Sequence, residues 1–509
     1  MPRPNRSVPR PASGARCAEA VPARTARRGS WRPAAGWVCA ACLAPALAAG
    51  ATPAPDGCPD DAPRTLVLAL DGIPFRVVEQ ARAAGAFDGW PPAGRLIAPF
   101  PSVTNVAFTL ILEAFGADPA RGYEYQHFDV EHNRKSGLHA FGYRENSFAW
   151  RELFDSMGRS LGSKLAVYTI PWRKSRKELA AAERALLESP HELILAHVGS
   201  TDALQHLRGD RETSRLVRQL DDWIRGLKRR HHETRGRPLR VVLLSDHGNT
   251  AGKVRAVEGL RKQLRRAGLD VREHLRRDDD VVAPTFGLVS YGALYTRPEN
   301  AERAARAVVE VPAVALAAWL ASPGEVRVVS AEGSARVRWR DDRPARRFAY
   351  EFGGTDPLRL GSALERLTEQ GRFDADGYAA DEHWLEASAL GDYPDPLERL
   401  VVALTGDHVL NRATVLLSLE PGTSWGLRSA RFGSWLRGGR IEGTHGALDG
   451  ESSFGFLMSD DPEFSPRPAV RASGAIAPLA AERLLASRCK GTAPVPGGDT
   501  RPALAAAGP

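Results

Sequence analysis

Several short stretches of this sequence put residues that can hold cations or attack phosphorus where strands or helices should begin or end. "LVLALDG" carries an apolar run into Asp71, and "VVLLSDHGN" carries another into the adjacent pair Asp246 and His247. "LAHVGSTDALQH" follows a third with Asp202 and His206. A spacing of four puts that last pair on one face of a helix, where both side chains can grip a single ion. In "PFPSVTNVAFT" two prolines deliver a serine and Thr104 to the mouth of an apolar helix, and far downstream "EGTHGALDG" offers His445 between small residues. Three Asp, three His and one hydroxyl fill two sites of mixed oxygen and nitrogen ligation, the kind that suits zinc and related transition ions. Two cations about 4 Å apart are what in-line phosphoryl displacement uses. One ion alone would leave half of these groups as buried, unpaired charge.

Each residue also has a plainer reading. An Asp after a strand is a common turn former. Ser102 or Thr104 could be a helix N-cap, although the same position is a ready anion site where backbone N–H groups converge. Asp407 and His408 in "LTGDHVLN" precede a strand instead of ending one and are set aside. His197 lies within a strand and reads as structural. It is the joint occurrence of the others that points to a metal centre.

The elements that must position them alternate short apolar runs with amphipathic stretches from residue 65, the pattern of a layered α/β domain with a largely parallel sheet. Buried strands are predicted at 65–70, 164–170, 192–198 and 240–245, with helices at 75–85, 105–115, 148–158, 175–188 and 211–230. In such sheets ligands gather at the C-terminal ends of the strands. After residue 255 the rhythm changes. Residues 325–341 alternate around a glycine turn and predict a hairpin, and helical pieces follow near 361–370 and 395–404. The expected layout is a catalytic core of residues 62–255 and 440–488. Residues 256–440 continue that core with a hairpin and a helical cap, and residues 490–509 form a disordered tail.

The chain has 509 residues, 43% of them hydrophobic, enough for a deep core. Its formal charge of +8 is concentrated at the front: eight of the 69 basic residues and one of the 61 acidic ones fall in residues 1–50. The nearly neutral remainder gives no electrostatic case for nucleic acid. That leader, "ARRGSWRP" followed by "GWVCAACLAPALAAGA", reads as a signal peptide over residues 1–50, so the mature protein is expected to be periplasmic or secreted, with no transmembrane anchor. Cys17, Cys39 and Cys42 would leave with it. Cys58 and Cys489 remain at the two ends of the globular part and are expected to form a disulfide.

The order and spacing of Asp71, Thr104, the Asp202/His206 pair, the Asp246/His247 pair and His445 resemble those of the alkaline phosphatase superfamily. The threonine resembles that of its type I phosphodiesterase/nucleotide pyrophosphatase branch. The resemblance covers roughly residues 65–260 and 440–460. It implies an alkaline-phosphatase-like α/β sandwich, with helices flanking a mostly parallel central sheet and a mixed insertion. It further implies two zinc ions, one held by Asp202, His206 and His445 and the other by Asp71, Asp246, His247 and Thr104. Thr104 would be the nucleophile, passing through a phospho-threonine, and the substrate a small phosphate ester. The branch often follows its threonine with Phe-Pro-Asn-His, where this chain has Asn105, Val106, Ala107 and Phe108. Either Asn105, beside the nucleophile, or Asn133 is then expected to bind the substrate's phosphate oxygen. Gln205 stands where a glycine commonly precedes the ligand His. No Cys/Ser-x-Pro-x-Arg context surrounds Thr104, which separates the chain from sulfatases, and the absence of a nearby Arg favours a diester. A phosphomonoesterase or phosphonate hydrolase of the same superfamily is the alternative, and a non-catalytic metal-binding envelope protein is the reading from outside enzymes.

Overall fold

The computed structural model describes residues 63–489 apart from 125, 138–147, 157–170, 286, 343–344, 427–440 and 465–466. The leader, Cys58, the strand expected at 164–170 and the tail from 490 lie outside the described residues.

The first half alternates strand and helix. β1 (Arg64–Leu70) is followed by α1 (Phe75–Ala83), β2 (Gly94–Ile97), α2 (Thr104–Ile111) and α3 (Pro171–Glu188). Then come β3 (Leu193–Val198), α4 (Ser200–Arg235) and β4 (Leu239–Leu244). The middle of the chain holds β5 (Tyr291–Leu294), α5 (Ala301–Val309), β6 (Val314–Ser322), β7 (Glu325–Val329), β8 (Gly333–Asp342) and β9 (Ala345–Gly354). After α6 (Gly361–Glu369) come β10 (Ala379–Ala380), α7 (Asp381–Ser388), α8 (Pro396–Thr405) and β11 (Val415–Leu419). The chain then returns through β12 (Phe454–Ser459) and β13 (Ala469–Arg471).

One sheet has the order β13-β2-β12-β4-β1-β3, and only β12 runs against the rest. Every residue of β1 is buried, as expected of a parallel strand covered on both faces. Its alternation feeds two cores. Leu66, Leu68 and Leu70 pack with Val77 of α1, Leu186 of α3 and Leu220 of α4, whereas Val67 and Ala69 pack with Phe108 and Ile111 of α2 and with Trp150. The result is a mixed α/β sandwich with helices on both faces of a mostly parallel sheet.

The middle region forms a second sheet, β5-β11-β6-β7-β8-β9-β10, antiparallel throughout. The expected hairpin is its β7/β8 pair, and the two helical pieces are α6 and α8. The hairpin is thus one pair within a larger sheet, whose half-buried strands such as β9 mix exposed glutamate and glycine into their alternation. Residues 149–153 make only a 3-10 turn where a helix was expected. Phe148, Trp150 and Phe154 pack there by ring contacts, Trp150 on Phe108 at 4.8 Å between centroids, so tertiary packing overrides the local pattern.

Helix α2 is wedged between the two cores. Val103 and Val106 enter the core of the second sheet and Phe108 and Ile111 that of the first, which leaves the start of this helix little freedom.

Candidate active site and metal centre

β1, β3 and β4 are adjacent and parallel, with Leu70 level with Val198 and Ala69 level with Leu244. Their C-terminal ends therefore release Asp71, the Asp202 helix and the Asp246/His247 pair side by side. Asp202 and His206 sit in the first two turns of α4, whose helical path breaks at Gly209 (φ 66°, ψ −168°). The Gly72 N–H donates to Asp246 Oδ1 at 3.0 Å, and the Thr201 hydroxyl donates to the Asp71 carbonyl at 2.6 Å. Gly72 has φ +65°, and a Cβ there would stand 2.6 Å from Asp202 Oδ1; only glycine leaves room for the Asp202 carboxylate at this turn. His445 follows the Gly443–Thr444 segment, which pairs with Thr250–Ala251 just beyond His247, and its carbonyl accepts the Ser290 N–H at 2.6 Å.

Thr104 is the first residue of α2 and is not its cap. The N-cap is Val103, which has no side-chain cap bond, and the Ser102 hydroxyl is engaged with the Pro99 and Ala447 carbonyls. The capping role open to Ser102 is therefore not taken. Thr104 Oγ1 lies 3.1 Å from Asp71 Oδ1 and 3.1 Å from His247 Nε2. His247 Nε2 is 3.4 Å from Asp246 Oδ2 and 3.7 Å from Asp71 Oδ1. On the other side, Asp202 Oδ1 is 3.2 Å from His206 Nε2 and 3.8 Å from His445 Nε2. The His247 and His445 rings stack at 3.9 Å, joining the two halves. All seven residues thus meet.

The donor set fits divalent cations. Four ligands at zinc bond lengths of about 2.0–2.1 Å stand roughly 3.3 Å apart, which matches these separations. Each histidine donates from Nδ1 to a backbone carbonyl: His206 to Gly443 at 2.8 Å, His247 to Gly248 at 2.8 Å and His445 to Ser102 at 2.9 Å. A carbonyl only accepts, so the proton is on Nδ1 and every Nε2 lone pair faces the cluster, as in ligand histidines. Asp202 Oδ1 and Asp246 Oδ2 are buried without a hydrogen-bond partner, an arrangement that calls for a cation.

The charges agree. Burial pushes the Asp246 carboxyl up to about 8, with Asp71 and Asp202 adding to the rise against His247. Burial also raises Asp202, but His206, His445 and His247 outweigh it and hold that carboxylate below the usual range. Burial and the neighbouring His247 pull the His445 imidazole well down. His247 is buried, yet Asp246 and Asp71 raise it above the ordinary value.

The two asparagines play other parts. Asn105 is buried; its Nδ2 donates to the Gly122 carbonyl at 2.6 Å and its Oδ1 accepts from Trp150 Nε1 at 3.1 Å. Both ends of the Asn133 amide bond the Leu275 backbone, at 3.0 and 2.8 Å, around a residue with φ 48°. One clamps α2 and the other shapes a turn. His197 lies in a box of Phe108, Trp150 and Phe154 with its Nε2 3.4 Å from Asp71 Oδ2. Its place at the end of β3, beside β1, was the available signal for this contact. His408 stands apart from the cluster, and Asp407 is almost fully exposed.

The profile of the family described as type I phosphodiesterase / nucleotide pyrophosphatase matches residues 120–349. The match contains Asp202, His206, Asp246 and His247 and runs into the middle region that the motifs alone left unassigned. No match is found among curated proteins. Among solved structures the chain is similar to human ectonucleotide pyrophosphatase/phosphodiesterase 5, at 11% identity over 83% of this chain and 95% of that one, with a TM-score of 0.41. The murine counterpart, in an inactive form in complex with AMP, gives 11%, 83%, 95% and 0.42. Phosphonoacetate hydrolase from Sinorhizobium meliloti 1021, in complex with phosphonoformate, gives 12%, 83%, 96% and 0.44. Among the described residues no helix is long and apolar enough to cross a membrane. All seven motif residues gather in one cluster and the family profile runs through four of them; the chain is a phosphoric ester hydrolase that resembles the type I phosphodiesterases and nucleotide pyrophosphatases of the alkaline phosphatase superfamily.

Proposed function

We propose that this chain is an exported, two-zinc phosphodiesterase that uses Thr104 as its nucleophile. The observation that carries this reading is the position of Thr104 Oγ1, in the first turn of a helix and within 3.1 Å of both Asp71 Oδ1 and His247 Nε2. Asp71, Asp246 and His247 would hold one ion beside that oxygen, and Asp202, His206 and His445 the other. When bound, the two ions would supply the positive charge that lowers the hydroxyl pKa and neutralises the phosphoryl oxygens.

The chain's own residues supply position. The first intrahelical bond of α2 runs from Ala107 N to Val103 O at 3.0 Å, so the N–H groups of Thr104, Asn105 and Val106 have no intrahelical acceptor and are open to an anion at the helix mouth. Thr104 Oγ1 attacks phosphorus in line with the leaving oxygen, and the proton that Thr104 loses ends on that leaving alcohol. Water then attacks the phospho-threonine, which still carries the diester's second ester group, releasing a phosphomonoester and restoring the hydroxyl. The hydrogen bonds and ion pairs seen within the cluster join its own Asp, His and Thr side chains, and a singly charged diester needs less added positive charge than a monoester dianion. The test is turnover of a diester and a monoester that share one aryl leaving group. The diester is expected to be the better substrate, and faster monoester hydrolysis would overturn the assignment. Export is tested by locating the protein in fractionated cells.

A further inference from the structure

We infer that Arg399 is a positioning residue for this site, tying the segment that carries Thr104 to the segment that carries His445; the inference rests on the reading just given. Arg399 lies on α8 and is only 4% exposed. Its Nη2 donates to Ser102 Oγ at 3.0 Å, to Ser453 Oγ at 2.7 Å and, at a longer 3.4 Å, to the Pro99 carbonyl. Nη1 donates to the carbonyls of Leu448 at 2.9 Å and Pro394 at 2.8 Å. Pro99 and Ser102 lead into Thr104, while Leu448 and Ser453 follow His445. The two segments also bond each other, Ser102 N to the Gly446 carbonyl at 3.2 Å and Ser102 Oγ to the Ala447 carbonyl at 2.9 Å. Most directly, the Ser102 carbonyl accepts His445 Nδ1–H at 2.9 Å. The guanidinium therefore grips the residue whose backbone sets the tautomer and aim of His445.

A buried cation would ordinarily be paired with a carboxylate. Here the neighbouring carboxylates have other partners: Asp395 bonds Arg471, and Asp449 caps Ser452. Burial pulls the Arg399 pKa down to about 10, partly offset by Asp395 and Asp449, so it stays charged at neutral pH. All of its bonds go to carbonyls and hydroxyls of the chain segments around the site. Such a planar array of donors, meeting five acceptors, is something lysine cannot reproduce.

Arg399→Lys and Ser453→Ala are compared with the parent and with Thr104→Ala in three measurements. These are melting temperature, zinc affinity of the metal-free protein by chelator competition, and kcat and KM on an aryl phosphodiester. Arg399→Lys is expected to lower zinc affinity and kcat by about 10- to 100-fold, as losses of outer partners of metal ligands do, with KM nearly unchanged. Ser453→Ala should move the same two quantities less. If both variants lose only melting temperature and keep parental zinc affinity and kcat, Arg399 is a structural anchor and the inference is overturned. Should Arg399→Lys fail to fold, Ser453→Ala decides by the same two readings. An inactive Thr104→Ala beside an unaffected Arg399→Lys removes this inference alone. An active Thr104→Ala removes the nucleophile, while the zinc readout still tests the tie to His445.

Discussion

Thr104 Oγ1 and His247 Nε2 lie 3.1 Å apart, although 143 residues separate them in the chain. The imidazole cannot turn away, because its Nδ1 is held by the Gly248 carbonyl at 2.8 Å and its ring stacks on His445 at 3.9 Å. Nor is the threonine free, since α2 is buried from Asn105 to Ile111 between two cores. The hydroxyl is thus presented to a fixed cluster of Asp and His side chains by a fixed helix.

Removing that hydroxyl should abolish turnover without unfolding the protein. Thr104→Ala is expected to lower kcat by about 10⁴-fold or more, in the range seen when a nucleophile is deleted. Its circular dichroism should be unchanged. Thr104→Ser should retain measurable activity. Mass spectrometry of acid-quenched parent enzyme should find on Thr104 the phosphoryl group still bearing the substrate's remaining ester group, and a modification at another residue would reassign the nucleophile.

Metal removal should cost both activity and stability, since Asp202 and Asp246 each keep a buried oxygen that no protein group satisfies. Dialysis against a chelator is expected to leave an inactive protein that zinc restores. A site saturated at a thousandfold excess over Kd adds about 4 kcal/mol to stability, so the metal-free protein should melt clearly lower. A chelated protein with unchanged melting and activity would contradict the cluster's role.

Gly72→Ala tests the close approach of Asp202 to the turn after Asp71. The new Cβ would meet Asp202 Oδ1 at 2.6 Å, whereas Gly85, with φ +89°, has nothing within 4 Å of its hypothetical Cβ. Both substitutions force an L-residue into the left-handed region, at about 1–2 kcal/mol each. Only Gly72→Ala should also lower zinc content. Equal zinc content in the two variants would show that Asp202 can retreat without loss.

Acid should weaken the fold through His408, well away from the metal ligands. Burial, and then Arg412, pull its pKa down to about 4, while the unfolded chain takes up that proton near 6.5. The unfolded state therefore binds more protons between those values, and stability falls as pH drops through that window. The loss is about 2 kcal/mol between pH 7.5 and pH 5. Urea unfolding of metal-free parent and His408→Gln should show the smaller decline in the variant, and parallel declines would remove His408 as the cause.

What was legible in the sequence was the chemistry at the strand ends. An apolar run ending in Asp71 or in Asp246–His247 can only be a buried strand that releases its polar residues at its C-terminal edge, and the spacing of Asp202 and His206 fixes a shared helix face. The roles of amides and hydroxyls were not legible. Asn105 looks like a substrate donor because it follows Thr104, but its partners, Gly122 and Trp150, are set by how α2 packs. Ser102 looks like a cap until the Ala447 carbonyl, far along the chain, claims its hydroxyl. The second sheet was hidden for a related reason: strands such as β8 alternate arginine with valine and alanine, a pattern that fits a hairpin and a seven-stranded sheet equally well.

The most direct test of the central claim is anomalous diffraction at the zinc edge from crystals of the zinc-loaded protein. Two peaks are expected, one bonded to Asp202, His206 and His445, the other to Asp71, Asp246 and His247 with Thr104 Oγ1 within coordination distance. A single peak, or a second ion with Thr104 turned away from it, would contradict the account.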